Sequence, residues 1–276
     1  MNLELLAEEA ILWSSVLSLG MLAVELVVAW LQGRLRKLEI KESLSSLGAI
    51  IGYSLGEVFV RALLLGSLFW IYAYVPWKIE TNVWTVAGAV ILSDFLYYWQ
   101  HRLGHEMRLF WLAHSVHHSS PVYNSSVNFR LSIFDPLLAV PFILPLVMAG
   151  FHPVVVLFGQ VFLLAYQSWI HTELIGRLPL LDWLLNTPSN HRVHHGADDL
   201  YLDKNYGGVF MIWDHMFGTY QKEQFSPEYG LTVPINSQNP IRVWFSEFPS
   251  LMRDLSGSAS PLHWFRILLG APGARG

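Results

Sequence analysis

The chain has 276 residues, 53% of them hydrophobic and only 14% charged, with a net charge of −4; an average soluble domain carries roughly 25% charged residues. A water-facing surface needs more charge than this, so lipid is expected to form part of the solvent, in line with a mean hydropathy of +0.37. The negative balance and the lack of a basic stripe with interleaved aromatics exclude a nucleic-acid partner, and the absence of cysteine excludes disulfides, thiolate metal sites and cysteine nucleophiles.

The opening MNLELLAEEA lacks the basic n-region of a cleavable signal peptide, so the first apolar stretch, from about Ala10 to Leu31, is expected as a retained spanning helix. A second span lies within Leu44 to Val75 and a third runs from about Val83 to Gln100. Each approaches the roughly 20 apolar residues that a spanning helix needs. Two shorter stretches, near Ile133–Ala149 and Val154–Ile170, are joined by the tight MAGFHP turn and read as a hairpin that tilts or crosses in part. The many rings (12 Trp, 11 Tyr and 16 Phe) suit the headgroup level. Glu57 and Arg61, four apart within the second span, are placed to pair, whereas Glu25 has no evident partner nearby. No repeat or linker divides the chain. The expectation is one membrane-embedded domain over residues 1–276, with a histidine-rich core at about 93–220. An amphipathic interfacial tail follows at about 240–276, carrying Trp244, Phe245, Trp264 and Phe265.

Basic residues near span ends set orientation. Arg34, Arg36, Lys37 and Lys41 place the first loop in the cytosol. Spans two and three then leave and return, as does the hairpin, so the segments beginning at His101 and at His171 both face the cytosol. The fold expected is an all-α, multi-pass integral membrane protein. It has four to five transmembrane or hairpin helices and a cytosolic helical cap.

That cap is rich in histidine. Of twelve histidines, His101 and His105 form HRLGH, His114, His117 and His118 form HSVHH, and His191, His194 and His195 form HRVHH. His171 stands between the last two groups. Residues three and four apart share one helical face, so each group presents several imidazoles to one point. Imidazole suits iron, zinc, copper and nickel alike. One zinc takes about four ligands, so nine histidines point to two metals. A buried cluster without metal would strand many donors and acceptors. HRLGH is not a zinc-protease HExxH, because Arg102 stands where the general base would be, and the Glu-x-x-His spacing of carboxylate-bridged di-iron bundles is missing. Two histidines on separate spans would suffice for haem but leave the triplets unexplained.

The run SDFLYYWQHRLGHEMRLFWLAHSVHHSSPVYN and the run NTPSNHRVHHGADDLYLDKNYGGVFMIWDHMFGTY resemble the histidine boxes and trailing motifs of the fatty acid hydroxylase/sterol desaturase superfamily. QSWIHTELIG, between them, looks most like the alkylglycerol monooxygenase branch. The resemblance covers roughly Ser93 to Tyr220. It implies a two-iron centre that uses molecular oxygen and two external electrons to hydroxylate a lipid, whether an ether lipid, a sterol-like molecule or a fatty acyl chain. Its ligands would be His101, His105, His114, His117, His118, His171, His191, His194 and His195. Gln167 occupies a position where some relatives carry a further histidine, and His215, inside the trailer, is not counted as a ligand. The branch implies a tetrahydropterin as reductant. With no GxGxxG and no fused cytochrome-like domain, electrons are expected from such a donor or from a separate redox protein.

Residues expected to support the ligands are Asp94, seven residues before His101 on the same face and placed to accept an imidazole N–H, together with Glu106, Gln167, Glu173, Asp198, Asp199, Asp203 and Asn205. Trp213 and Phe217 are expected to pack the cap, and His152 and His263 to be ordinary core or surface residues. Lipid desaturation and carotenoid hydroxylation stay open within the superfamily. From other classes, a non-catalytic haem or metal electron-transfer protein and a membrane zinc hydrolase stay open too.

Overall fold

The computed structural model describes residues 2–257 and 260–273, apart from the side chains of Arg61 and Ala62. The expected Glu57–Arg61 pair therefore falls outside the described residues. Five helices build the body: α1 (Leu3–Leu31), α2 (Lys37–Tyr74), α3 (Val83–Glu106), α5 (Asp135–Met148) and α6 (Pro153–Gln167). Between them lie the short α4 (Arg108–His118) and a 3₁₀ segment, Ser125–Phe129. Among the described residues no strand forms, and two isolated bridges, Leu185 with Phe210 and Gly196 with Tyr229, pin the loops of the cap.

α1 and α2 are long and apolar enough to cross a membrane, and very little of either is buried inside the protein. Leu55, Val58 and Phe59 on α2 are each about two-thirds exposed, at 66%, 69% and 66%. A core helix of a soluble protein would bury such residues, so this surface fits a lipid solvent. α3 starts at a polar cap, where the Asn82 side chain accepts from the Trp84 and Thr85 amides at 2.9 and 3.1 Å. It ends in the polar HRLGHE run and is correspondingly less apolar. The hairpin helices α5 and α6 have 14 and 15 residues; at about 1.5 Å per residue each is shorter than a bilayer core of roughly 30 Å. They pack inward, α6 against both α1 and α3, and α5 against α2 and α3. Leu68, Val86, Ala89, Leu146, Val147, Val155 and Val156 form the core between them.

Glu25 does find partners, but far along the chain: its carboxylate accepts from the Ser125 amide at 2.8 Å and from the Thr172 hydroxyl. The cap then winds through α7 (Pro179–Leu184), α8 (Pro188–His194) and α9 (Ile212–Phe217). In the tail, α10 (Pro240–Trp244), α11 (Phe248–Ser256) and α12 (Pro261–Leu269) follow. Leu251 and Ile267 bury against Leu112 of α4, so the tail docks on the helix that carries HSVHH. Trp264 and Phe265 stay exposed.

Candidate metal centre

Four short elements converge on one end of this bundle. The last two turns of α3 supply His101 and His105, and α4 supplies His114, His117 and His118. His171 follows the end of α6, and α8 with its C-cap supplies His191, His194 and His195. α8 starts where it does because Thr187 caps it and Pro188 occupies its first position, where a missing N–H costs nothing. All nine histidines come together, in two groups. His101, His105, His114, His118 and His194 form one, and His117, His171, His191 and His195 form the other. Within each group, one ring nitrogen from each histidine lies within 4.8 Å of the others. The groups adjoin, with the His118 and His195 rings stacked at 4.3 Å. HSVHH and HRVHH each split between the two groups, a division that spacing alone does not reveal.

Backbone carbonyls fix the rings. The Nδ1–H of His101 donates to the Tyr206 carbonyl at 2.8 Å and that of His194 to Lys204 at 3.0 Å. His117 donates likewise to Arg130 at 3.4 Å and His171 to Gln167 at 3.3 Å. A carbonyl only accepts, so these four Nδ1 atoms carry the proton and each Nε2 is a bare lone pair. The Nε2 atoms of His117 and His171 nevertheless face each other at 3.2 Å, while His191 places its Nε2 2.8 Å from that of His171 and leaves its own Nδ1 without a partner. In the other group the Nε2 atoms of His101, His105 and His194 are buried without a partner. Facing lone pairs repel unless a cation sits between them, so the donor set fits metal ions. Burial pushes the His117 imidazole down to about 3, with the neighbouring imidazoles adding to the effect. The same two causes hold His114, His118, His171, His191, His194 and His195 well below the ordinary value. Neutral imidazole is the form that binds a metal.

Apart from Asp203, the expected supporting carboxylates make their contacts away from the imidazoles. Asp94 does not take an imidazole N–H: it accepts from the Val209 and Phe210 amides at 2.7 and 3.2 Å and from the Trp213 indole at 2.8 Å. Glu106 binds Arg102 at 2.8 Å, and Glu173 accepts from the Tyr229 hydroxyl at 3.2 Å. Asp199 lies on a turn of the cap, and Asp198 accepts from the Glu228 amide. Asn205, in the left-handed region at φ 59°, ties the Asn190 and Gln221 carbonyls together. Asp203 is the carboxylate that reaches a ligand, His105 Nδ1 at 3.4 Å, and this contact holds it below the usual carboxylate range. Trp213 packs on Phe95 and Phe217 stacks on Tyr98. His215 lies outside both groups against the Trp183 carbonyl, and His152 caps α6.

Other supports were not singled out from the sequence, although Arg192, the NYGG turn and Asp214 lie inside the motif runs. Arg130, 1% exposed, pairs with Glu42 at 3.1 Å while its carbonyl holds His117. Arg192 forks onto Glu223 at 2.7 Å through both Nε and Nη2, and donates to the Thr172 and Ile175 carbonyls beside His171. The NYGG turn is held by Asp214, which accepts from the Tyr206 and Gly207 amides at 2.8 Å each. A Cβ on Gly207 would meet the Phe210 carbonyl at 2.4 Å, and one on Gly208 would meet Asp94 at 2.8 Å, so both positions require glycine.

A largely apolar cavity of about 550 Å³, with Glu4, Glu8, Glu57 and Asp135 also in its lining, runs between α1, α2, α5 and α6 to the histidines. Its wall includes His101 and His114 of one group and His117 and His171 of the other. A long alkyl chain fits such a lining.

Residues 86–219 match the family model described as fatty acid hydroxylase. The chain is 36% identical to human alkylglycerol monooxygenase over 260 residues, 92% of this chain and 58% of that protein. It is 39% identical to the Xenopus tropicalis alkylglycerol monooxygenase over 81% of this chain and 50% of the relative. It is 28% identical to the ornithine lipid hydroxylase OlsE of Rhizobium tropici, over 68% of this chain and 56% of that protein. The chain thus spans about half the length of the curated relatives it matches. No solved structure matches it at a significant level. Through the segment that builds both histidine groups, the chain belongs to the fatty acid hydroxylase family.

Proposed function

We propose that this chain is an oxygen-dependent, two-iron membrane monooxygenase that hydroxylates a lipid, with an alkylglycerol-like ether lipid as the first substrate to try. The nine histidines are its iron ligands, five on one ion and four on the other. The observation that carries this reading is the cavity, a largely apolar channel whose inner end is walled by members of both histidine groups. When bound, the two irons supply activation of molecular oxygen against a C–H bond, using two electrons from an external donor, a tetrahydropterin or a separate redox protein. The protein does the rest. Carbonyl-held Nδ1–H groups aim each Nε2 inward, and the leucine-rich wall holds the chain and keeps water out.

The single domain extends over residues 1–276 and is multi-pass, with the site on the cytosolic face. Two features favour that side: the basic residues Arg34, Arg36, Lys37 and Lys41 lie at the N-terminal end of α2, and Glu42 at that same end holds Arg130, whose carbonyl orients His117. A haem reading fits poorly, because haem iron offers two axial positions and these groups converge four and five imidazoles. Desaturation and carotenoid hydroxylation would use the same ligands and differ in where the substrate carbon is held.

The test is iron content of detergent-purified full chain reconstituted anaerobically with ferrous iron, beside His117→Ala and His194→Ala, one from each group. About two irons per chain, reduced in both variants, together with oxygen-dependent product from a 1-alkylglycerol and a tetrahydropterin, is the expected result. At most one tightly held metal, a Soret band, or turnover that persists without oxygen overturns it.

A further inference from the structure

Two residues lining the cavity carry a buried side-chain atom with no hydrogen-bond partner, His101 and Gln167, at Nε2 in each case. A metal explains the first. The second is a neutral amide N–H that no imidazole or carbonyl satisfies, on a side chain only 7% exposed.

One bond orients the Gln167 side-chain amide, and another ties its backbone to the histidines. The Tyr97 hydroxyl donates to Gln167 Oε1 at 2.9 Å, which leaves the NH₂ as the free end of the amide. The Gln167 backbone carbonyl accepts from His171 Nδ1, which ties the residue to a ring of the second histidine group. Tyr97 stands four residues before His101, and its ring lies 5.2 Å from that imidazole. Gln167 stands four residues before His171. The Tyr97–Gln167 bond therefore bridges α3 and α6 one helical turn before a histidine of each group. Leu64, Leu65, Leu68, Ile143, Leu157 and Leu164 make up much of the remaining wall, which also includes Glu57, Asp135 and Gln160.

A buried donor left empty in a largely apolar wall is a cost that an arriving acceptor relieves, and an acceptor-free chain leaves it unrelieved. The geometry points to Gln167 as a specificity-determining residue. Its amide N–H donates to an acceptor oxygen on the lipid chain and so sets which carbon lies at the histidines, with Tyr97 as the positioning residue that aims the amide. The chemistry after binding rests on the lipid-hydroxylase reading, but the recognition itself is a binding property and is measurable without turnover. The two arms of the test use an alkyl chain with an ether oxygen and the same chain with CH₂ in its place. Both are acceptor-equal at the headgroup, so the ratio of their affinities isolates the one oxygen.

The experiment measures calorimetric binding of a long-chain 1-alkylglycerol and of its equal-length carba analogue, a 1,2-diol, to full-length iron-loaded protein kept anaerobic. Wild type is expected to prefer the ether by roughly tenfold, the worth of one neutral hydrogen bond. Gln167→Leu is expected to bind both probes alike while holding wild-type iron. Tyr97→Phe, which keeps the donor but frees the amide to turn, is expected to lose part of the preference and carries the test if the leucine variant does not fold. Equal binding of the two probes by wild type, or an undiminished preference in Gln167→Leu, overturns the assignment. An ether preference lost in the variants, in protein that makes no oxygen-dependent product, upholds Gln167 and sinks the monooxygenase reading instead.

Discussion

The buried carboxylate of Asp94 on α3 accepts the indole N–H of Trp213 at 2.8 Å, although 119 residues separate them in the chain. The same carboxylate accepts from the Val209 and Phe210 amides, so one side chain latches the NYGG turn onto α3. That turn carries Tyr206, whose carbonyl fixes His101. Asp94 therefore acts on the histidines through a backbone two steps away.

Replacing Asp94 by alanine strands three donors, one buried and two partly buried. Each unsatisfied group costs about 1–3 kcal/mol, so a loss of about 3 kcal/mol or more is expected. Asparagine would not rescue it, because its NH₂ would face a donor. Thermal unfolding in detergent, with iron per chain measured in parallel, checks this. Weakened iron retention should fall first on the group containing His101 and His194, and an unchanged melting temperature would remove Asp94 from this role.

The nine histidines were legible because their spacing survives any detail of packing, and α1 and α2 because lipid-facing helices need only length and apolarity. Asp203 was legible from its place after the last histidine run, but most of the other supports were not. Four of the Nδ1 partners are main-chain carbonyls, which every residue owns, so the sequence carries no mark of Tyr206, Lys204, Arg130 or Gln167 in that role. Asp94 sits on the helical face expected of it but turns to the later loop, because three fixed N–H donors there outcompete a neutral imidazole. Glu25 has no partner near it in the chain for the same reason: Ser125 and Thr172 are brought to it by the fold.

Arg130 and Glu42 form a buried pair, with Arg130 also donating to the Ser119 hydroxyl at 2.8 Å. Removing one partner of such a pair leaves an uncompensated charge and costs about 3–5 kcal/mol. Arg130→Met and Glu42→Gln are each expected to lower the melting temperature strongly, and the double variant to recover a large part of the loss. A double-mutant cycle reads this directly, and additive losses would mean the two side chains act independently.

Arg192 sits inside the HRVHH run and reaches two segments at once: Glu223 through a planar fork, and the carbonyls of Thr172 and Ile175 beyond His171. Lysine keeps the charge but has no fork, so Arg192→Lys gives up charge-assisted bonds worth about 1.5–3 kcal/mol each. The segment after His171 should loosen, and iron should dissociate faster from the group of His117, His171, His191 and His195. Iron release to a ferrous chelator, compared with wild type, measures it. A release rate equal to wild type would show that His171 is held without this arginine.

Leu157 lines the cavity ten residues before Gln167 on α6, about 15 Å farther from the histidines at 1.5 Å per residue. If an alkyl chain occupies the cavity with its reacting carbon at the histidine end, the far end of a long chain must pass Leu157. A tryptophan there fills that space without touching a histidine or its carbonyl partner. Leu157→Trp is therefore expected to keep wild-type iron and to bind short-chain lipids as before, while long-chain lipids lose about tenfold or more in affinity from overpacking. The chain-length profile decides it, because a fold defect would weaken every length alike. A profile unchanged at all lengths would mean that the chain runs along the outside of the bundle, and that this cavity is not its path.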